Sequence, residues 1–100
     1  MSKKIFIVYG HHNIKKSFNA SVRDTFIEEA SRLGHQIDLI NLHEEKPIPF
    51  FDGSGPNEQI LDYRKRLEAS DVLFMISPCY NLRATAILEN WIDLTLAPKW

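Results

Sequence analysis

The sequence predicts an α/β fold, a doubly wound parallel sheet made of three β-α units. Two observations carry that expectation. The runs Ile5-Phe6-Ile7-Val8-Tyr9 and Val72-Leu73-Phe74-Met75-Ile76 are continuously apolar, as strands covered on both faces are, whereas half-exposed strands alternate. The segments between and after them repeat apolar residues at helical spacing and are long enough to cross over between parallel strands.

Taken in order, the first strand, Ile5 to Tyr9, ends at Gly10. From Phe18 the period changes: Phe18, Val22, Phe26, Ala30 and Leu33 fall on one helical stripe, with Asp24, Glu28, Glu29 and Arg32 mostly off it. Gly34 supplies a left-handed stop just past the helix end. Ile37, Leu39 and Ile40 read as a second, shorter strand. Leu42 to Pro56 contains Pro47, Pro49, Gly53, Gly55 and Pro56 and reads as a long surface loop, a type of connection that often carries function. Asn57 opens a second helix with an amphipathic pattern of Ile60, Leu61, Tyr63, Arg64 and Leu67. Val72 to Ile76 forms the third strand and Ser77 to Arg83 a loop. Ala84, Ile87, Leu88, Trp91, Ile92 and Thr95 mark a third helix, halted by Pro98, with Trp91 in the core.

Composition narrows the function classes. One hundred residues have room for one domain. Twelve basic against thirteen acidic residues leave a net charge of −1, so nothing points to a nucleic-acid partner, which calls for a basic excess on one face. Hydrophobic residues at 44% and charged residues at 25% are the proportions of a soluble globular chain. A single cysteine forms no internal disulfide, and four histidines with one cysteine match no common zinc spacing. The apolar runs are too short to span a membrane. Met1-Ser2-Lys3-Lys4 leads into no long apolar region of the secretory kind, so a cytoplasmic, reducing setting is expected.

In open α/β sheets ligands bind beyond the carboxyl ends of the strands, where strand order reverses. Two loops qualify, Gly10 to Asn19 and Ser77 to Arg83, and the Leu42 to Pro56 loop leaves the same edge. The first places hydroxyl, amide and imidazole groups and two lysines around a helix start, where free N–H groups and the helix dipole favour a phosphate. The same residues also read as a plain N-cap at Ser17 beside a solvated Lys15-Lys16 turn. No glycine-rich nucleotide signature is present. His11 and His12, as neighbours at a strand end, should point to opposite faces and not chelate one ion. Cys79 and Arg83 lie too close together for a thiol-phosphatase loop, so Cys79 reads as a small apolar residue beside a strand end. Glu68 and Asp71 read as a solvated face.

Lys4 to Tyr9 followed by His12 and Ser17-Phe18-Asn19 resembles the opening of the flavodoxin-like NAD(P)H:quinone oxidoreductases of the DT-diaphorase type. Leu67 to Asp71, the strand, Pro78, and Ala86-Ile87-Leu88-Glu89-Asn90-Trp91-Ile92-Asp93 resemble a second characteristic series of that family. The resemblance runs in order along essentially the whole chain. It implies FMN or FAD as cofactor, NAD(P)H as electron donor, and two-electron transfer to a quinone or similar small-molecule acceptor. It also implies that His12, Ser17, Phe18 and Asn19 hold the flavin phosphate end and that Pro78, Cys79, Tyr80, Asn81 and Leu82 lie along the isoalloxazine ring; no catalytic residue is assigned. Asn81, Leu82 and Thr85 differ from the aromatic, glycine or phenylalanine, and proline usual there, and Arg64 stands where FAD-binding relatives can carry a glutamine.

Members of that family are longer and have five parallel strands, so residues 1–100 correspond to an N-terminal portion of such a domain. A non-catalytic flavodoxin-like remnant or binding module is the alternative expectation. In the flavodoxin-like strand order the third strand would then be an unpaired edge. Marginal stability or a homodimer formed through that edge is expected, with Trp91, Ile92 and Leu96 losing part of their packing.

Overall fold

The computed structural model describes residues 2–50 and 52–96. Three parallel strands, β1 (Lys4–Tyr9), β2 (Gln36–Asn41) and β3 (Val72–Ile76), lie in the order β2-β1-β3. Helix α1 (Phe18–Arg32) joins β1 to β2. A one-turn helix α2 (Leu42–Glu45) and helix α3 (Glu58–Glu68) lie between β2 and β3, and α4 (Ala86–Leu96) follows β3. Pro98, the expected stop of the last helix, lies outside the described residues.

The apolar run of β1 is explained by its central place. Ile5, Ile7 and Tyr9 point to one face and pack with Ala20, Ala30, Phe26 and Ile27 of α1. Phe6 and Val8 point to the other and join Ile40, Leu42, Tyr63, Leu88 and Trp91 beneath α3 and α4. Both faces are therefore covered, by α1 on one side and by α3 and α4 on the other. Each large side chain fully buried in these clusters contributes about 1.5–3 kcal/mol. Phe6 and Tyr63 both meet Trp91 edge-on, at centroid distances of 5.9 and 6.3 Å.

Four expectations from the sequence are corrected. Of the stripe Phe18, Val22, Phe26, Ala30 and Leu33, only Phe26 and Ala30 reach the core; Phe18 is 82% exposed, and Val22 and Leu33 are exposed too. The helix buries Ala20 and Arg23 along with Ala30, because Arg23 finds polar partners and an aromatic ring beneath it. Leu42 opens no loop; it is fully buried in α2, and the following segment is tied down where Gln59 donates to the Glu45 carbonyl and Asn90 to the Ile48 carbonyl. Strand β2 is no shorter than β1. Strand β3 is covered on both faces only in part: Leu73 packs on one and Phe74 and Ile76 on the other, but with no described strand along its outer edge Val72 and Met75 are 42% and 40% exposed.

Trp91 is fully buried and Ile92 half-buried, whereas Leu96 is exposed. Asp71 is more than a solvated charge, since its carboxylate and backbone pair with the Lys4 backbone and start the β1–β3 ladder. Gly34 takes the expected left-handed conformation (φ 88°), and the Asn57 side chain caps α3 by accepting from the Ile60 N–H. Arg64 points away from the strand ends and donates to the Leu94 and Thr95 carbonyls in the last turn of α4.

Across the α3 face, Arg66 grips Asp38 of β2 with two hydrogen bonds, of 3.0 and 2.6 Å, and lies over the Phe6 ring. That hydrogen-bonded pairing holds the Asp38 carboxyl below its ordinary 3.8. Because the folded value is depressed, the stabilisation is present above about pH 3.8 and is lost as pH falls through the folded value. Arg66→Met should therefore cost about 1–3 kcal/mol at pH 7 by leaving a half-buried carboxylate unpaired. Urea unfolding of both proteins between pH 7 and 3 should show that difference shrinking below pH 4; a pH-independent difference would contradict the assignment.

Candidate functional site at the carboxyl ends of the strands

The chain leaves β1 towards α1 on one face of the sheet and leaves β3 towards α4 on the other. The loops after β1 and β3 consequently diverge and leave a crevice at the carboxyl ends. Gly10 is where they come closest. Its N–H donates to the Ile76 carbonyl at 2.8 Å, and its carbonyl accepts from Thr85 Oγ1 at 2.7 Å. A Cβ at position 10 would stand 2.9 Å from Leu88 Cβ and 3.0 Å from Thr85 Oγ1, so only glycine fits. Thr85, which stands where the resembling family has proline, uses its hydroxyl to lock the start of α4 to the end of β1.

The loop from His11 to Ser17 is held from inside. Asn13 Oδ1 accepts from the Lys15 and Lys16 amides, and the Asn13 amide donates to His11 Nδ1. Beneath, Tyr9 Oη lies 2.8 Å from both the Asn13 carbonyl and Ser17 Oγ, while Ser17 Oγ accepts from the Ala20 N–H. A consistent proton order follows: the Ala20 N–H donates to Ser17, Ser17 donates to Tyr9, and Tyr9 donates to the Asn13 carbonyl. Ser17 is thus the N-cap of α1, one of the two readings its sequence allowed. The amides of Ser17, Phe18 and Asn19 have no acceptor among the described residues, and neither has the Asn19 side chain. These unpaired donors at a helix start, beside exposed Lys15 and Lys16, suit a phosphate.

On the other side of the crevice, Ser77 Oγ accepts from the Thr85 N–H and donates to the Pro78 carbonyl. Tyr80 and Arg83 pair in both directions across a two-residue turn, with Asn81 and Leu82 at φ 53° and 62°. Asparagine tolerates that left-handed conformation; for Leu82, 97% exposed, it costs about 1 kcal/mol. Between the two loops lies a cleft of about 390 Å³, lined by Gly10, His12, His43, Tyr80, Thr85 and Ile87. Its size is in the range of small-molecule sites.

The structure brings His12 and Tyr80 together across this cleft, with Ser17 and Asn19 along the adjoining loop. The Phe18 side chain is not among the lining residues of the cleft and borders an apolar groove on the outer flank of α1 with Val22 and Phe26. Pro78 is half-buried, Cys79 is an exposed free thiol, and Asn81 and Leu82 sit at the turn tip. The histidine expectation is corrected: the His11 and His12 rings do not diverge but stack at 4.4 Å. Among the described residues no group of three or more histidine, cysteine or acidic side chains is placed to hold a metal ion. Sequence reasoning missed His43, Thr85 and Arg23. The first two reach the cleft only through the topology, and Arg23 was hidden by a wrong choice of helix face.

The family model of the flavodoxin-like fold matches residues 3–100. The chain belongs to the flavodoxin-like fold family. Its parallel order β2-β1-β3 and the position of the crevice agree with that membership. The ribosyldihydronicotinamide dehydrogenase [quinone] of Pongo abelii is 26% identical over 94% of this chain and 51% of its own length. The FMN-dependent NADH:quinone oxidoreductase 4 of Burkholderia lata is 28% identical over 91% of this chain and 54% of its own. The NAD(P)H:quinone oxidoreductase from Methanothermobacter marburgensis superposes with a TM-score of 0.87 at 23% identity, covering 95% of this chain and 53% of that one, and shares the fold. The chain spans about half the length of the curated relatives it matches.

Two outcomes test the geometry of this flavodoxin-like site. Gly10→Ala should lose about 1–3 kcal/mol in chemical unfolding, because neither Leu88 Cβ nor the locked Thr85 can withdraw; wild-type stability would refute the close approach. Partial burial, then the neighbouring His12 and His11, push His43 below its ordinary 6.5. The fold therefore prefers the neutral ring, and stability is lost as pH falls from about 6.5 through the lowered midpoint. An NMR titration should place the His43 midpoint below 6.5, and His12→Ala should move it upward.

Proposed function

We propose that this chain binds a flavin and carries the flavin-phosphate half of an NAD(P)H:quinone oxidoreductase site, the 100 residues standing for the N-terminal portion of such a domain. The observation that carries this reading is the preformed loop at the start of α1, with three unpaired amides, at the switch point of a sheet whose relatives include an FMN-dependent NADH:quinone oxidoreductase. The donor set fits the phosphate end. The Ser17, Phe18 and Asn19 amides face outward from the first turn, Asn19 adds a side-chain amide, and Lys15 and Lys16 supply positive charge.

The segment Pro78 to Leu82 is assigned to the ring. Its turn is paired at Tyr80 and Arg83, and its base is anchored through Ser77 and Thr85 to the end of β1. Tyr80 is the one aromatic side chain of that segment and stands at the cleft. The flavin, when bound, supplies two-electron transfer from NAD(P)H to a quinone. The residues of this chain bind and orient it. His12 borders the cleft from the loop side and His43 from the end of β2, so both approach the same part of the ligand.

The test is flavin uptake. Purified protein mixed with FMN should bind it, read by quenching of flavin fluorescence, and the complex should then be assayed for NADH- or NADPH-dependent quinone reduction. Asn19→Ala should weaken FMN binding about 5–10-fold with an unchanged melting temperature, since the Asn19 side chain supports nothing else. Ser17→Ala should weaken binding and also cost about 1 kcal/mol of stability, because it removes the cap. Failure to take up FMN, or equal affinity in Asn19→Ala, would overturn the reading.

A further inference from the structure

Arg23 is the least expected side chain in the molecule: a guanidinium 6% exposed, on the inner face of α1. Burying that charge is costly, and an aliphatic side chain at the same position would cover Tyr9 without the penalty. The contacts of Arg23 show what the charge does there. Nη2 donates to the Ile14 carbonyl at 2.6 Å, in the loop after β1. Nη1 donates to Asn41 Oδ1 at 3.0 Å, at the end of β2, and Nε to Asp24 Oδ1 at 2.9 Å on its own helix. The guanidinium lies 4.5 Å from the centroid of the Tyr9 ring, whose hydroxyl holds the Asn13 carbonyl and Ser17. Asn41 in turn donates to Glu44 in α2, the turn that carries His43.

We infer that Arg23 is a positioning residue for the anion-binding loop. With Tyr9 it fixes the carbonyls of Asn13 and Ile14 inward, so that the following amides, Ser17 to Asn19, face outward in a preorganised cradle for a phosphate group. The inference deepens the flavin reading and rests on it for the identity of the phosphate carrier, though not for the anion site. The guanidinium ties three chain segments together: the loop after β1, helix α1 and the end of β2. A lysine keeps the charge but cannot make the fork of three divergent donations. Loop preorganisation acts on affinity for the charged end of a ligand and leaves the uncharged end alone.

The experiment compares wild type, Arg23→Lys and Tyr9→Phe, the last losing only the hydroxyl beneath the loop. FMN and riboflavin, which lacks the phosphate, are titrated by fluorescence; inorganic phosphate is titrated by NMR on the backbone amides of residues 15–20. In Arg23→Lys, FMN affinity should fall about tenfold and the phosphate-induced shifts at Ser17 to Asn19 should weaken likewise, while riboflavin affinity stays within about twofold. Tyr9→Phe should act in the same direction and more weakly. If wild type binds phosphate at these amides and loses it on Arg23→Lys without taking up FMN, the cradle stands and the flavin reading falls. If FMN binds equally to wild type and both variants, the inference is overturned and the flavin reading survives. Equal losses for FMN and riboflavin would reduce Arg23 to a general support of the fold and also overturn it. Wild type that binds neither FMN nor phosphate overturns both.

Discussion

The covering of β1 on both faces is the constraint on which the rest of this structure depends. A strand with Ile5, Ile7 and Tyr9 on one side and Phe6 and Val8 on the other needs a helical layer on each face. That requirement sends α1 one way and α3 and α4 the other, and the divergence opens the crevice at the carboxyl ends. Its last residue and the glycine that follows then do different work. Tyr9 points under α1 and supports the loop through its hydroxyl, while Gly10 lets Thr85 and Leu88 approach from the α4 side. One apolar strand thus sets the position of both loops that form the candidate site.

Much of this was legible in the sequence, for reasons of period and local chemistry. Continuous apolar runs gave β1 and β3; Gly34 and Asn57 marked helix boundaries because a left-handed stop and an N-cap are local events. The face of α1 was not legible. Phe18 and Val22 are apolar and exposed, whereas Arg23 is charged and buried, and a hydrophobicity pattern ranks them the wrong way round. The spacing Ala20, Arg23, Ile27, Ala30 carried the right stripe, but only a reader expecting an aromatic ring beneath a guanidinium would have chosen it. The candidate site divides along the same line. The Ser17 cap and the loop that carries it were legible because capping acts over a few residues, whereas His12 and Asn19 were named through the family resemblance. His43 and Thr85 could not, since they join the cleft from other chain segments, and their proximity to Gly10 and His12 exists only after the sheet has formed.

The two halves of the site differ in how they are held. Beyond Gly10, the side-chain hydrogen bonds that hold the loop after β1 come from residues between Tyr9 and Glu44, linking Ser17, Tyr9, Arg23 and Asn41. The Ser77–Thr85 segment is pinned at its base by two hydroxyls, while its tip rests on a two-residue turn with Leu82 held in an unfavourable conformation and facing solvent. The base is therefore rigid and the tip is locally strained, with no described residue packed over it.

This asymmetry bears on how a flavin would be held. An isoalloxazine ring gains affinity from flat apolar contact, and the turn presents Tyr80 with Asn81 and Leu82 where the family resemblance leads one to expect an aromatic platform. A phosphate gains affinity from preoriented amides and positive charge, and the loop offers the unpaired Ser17, Phe18 and Asn19 amides beside exposed Lys15 and Lys16. Tyr80 and Leu82 at the turn are exposed, but so are Phe18 and Val22 on the outer flank of α1 and Val72 and Met75 along β3, so exposed apolar surface is not concentrated at the turn. On the proposed reading, a flavin would be held mainly by its charged end, with the ring contributing less than the phosphate. Recognition would begin at the loop after β1, and the turn at Asn81 and Leu82 would adjust to a ring already placed by its phosphate.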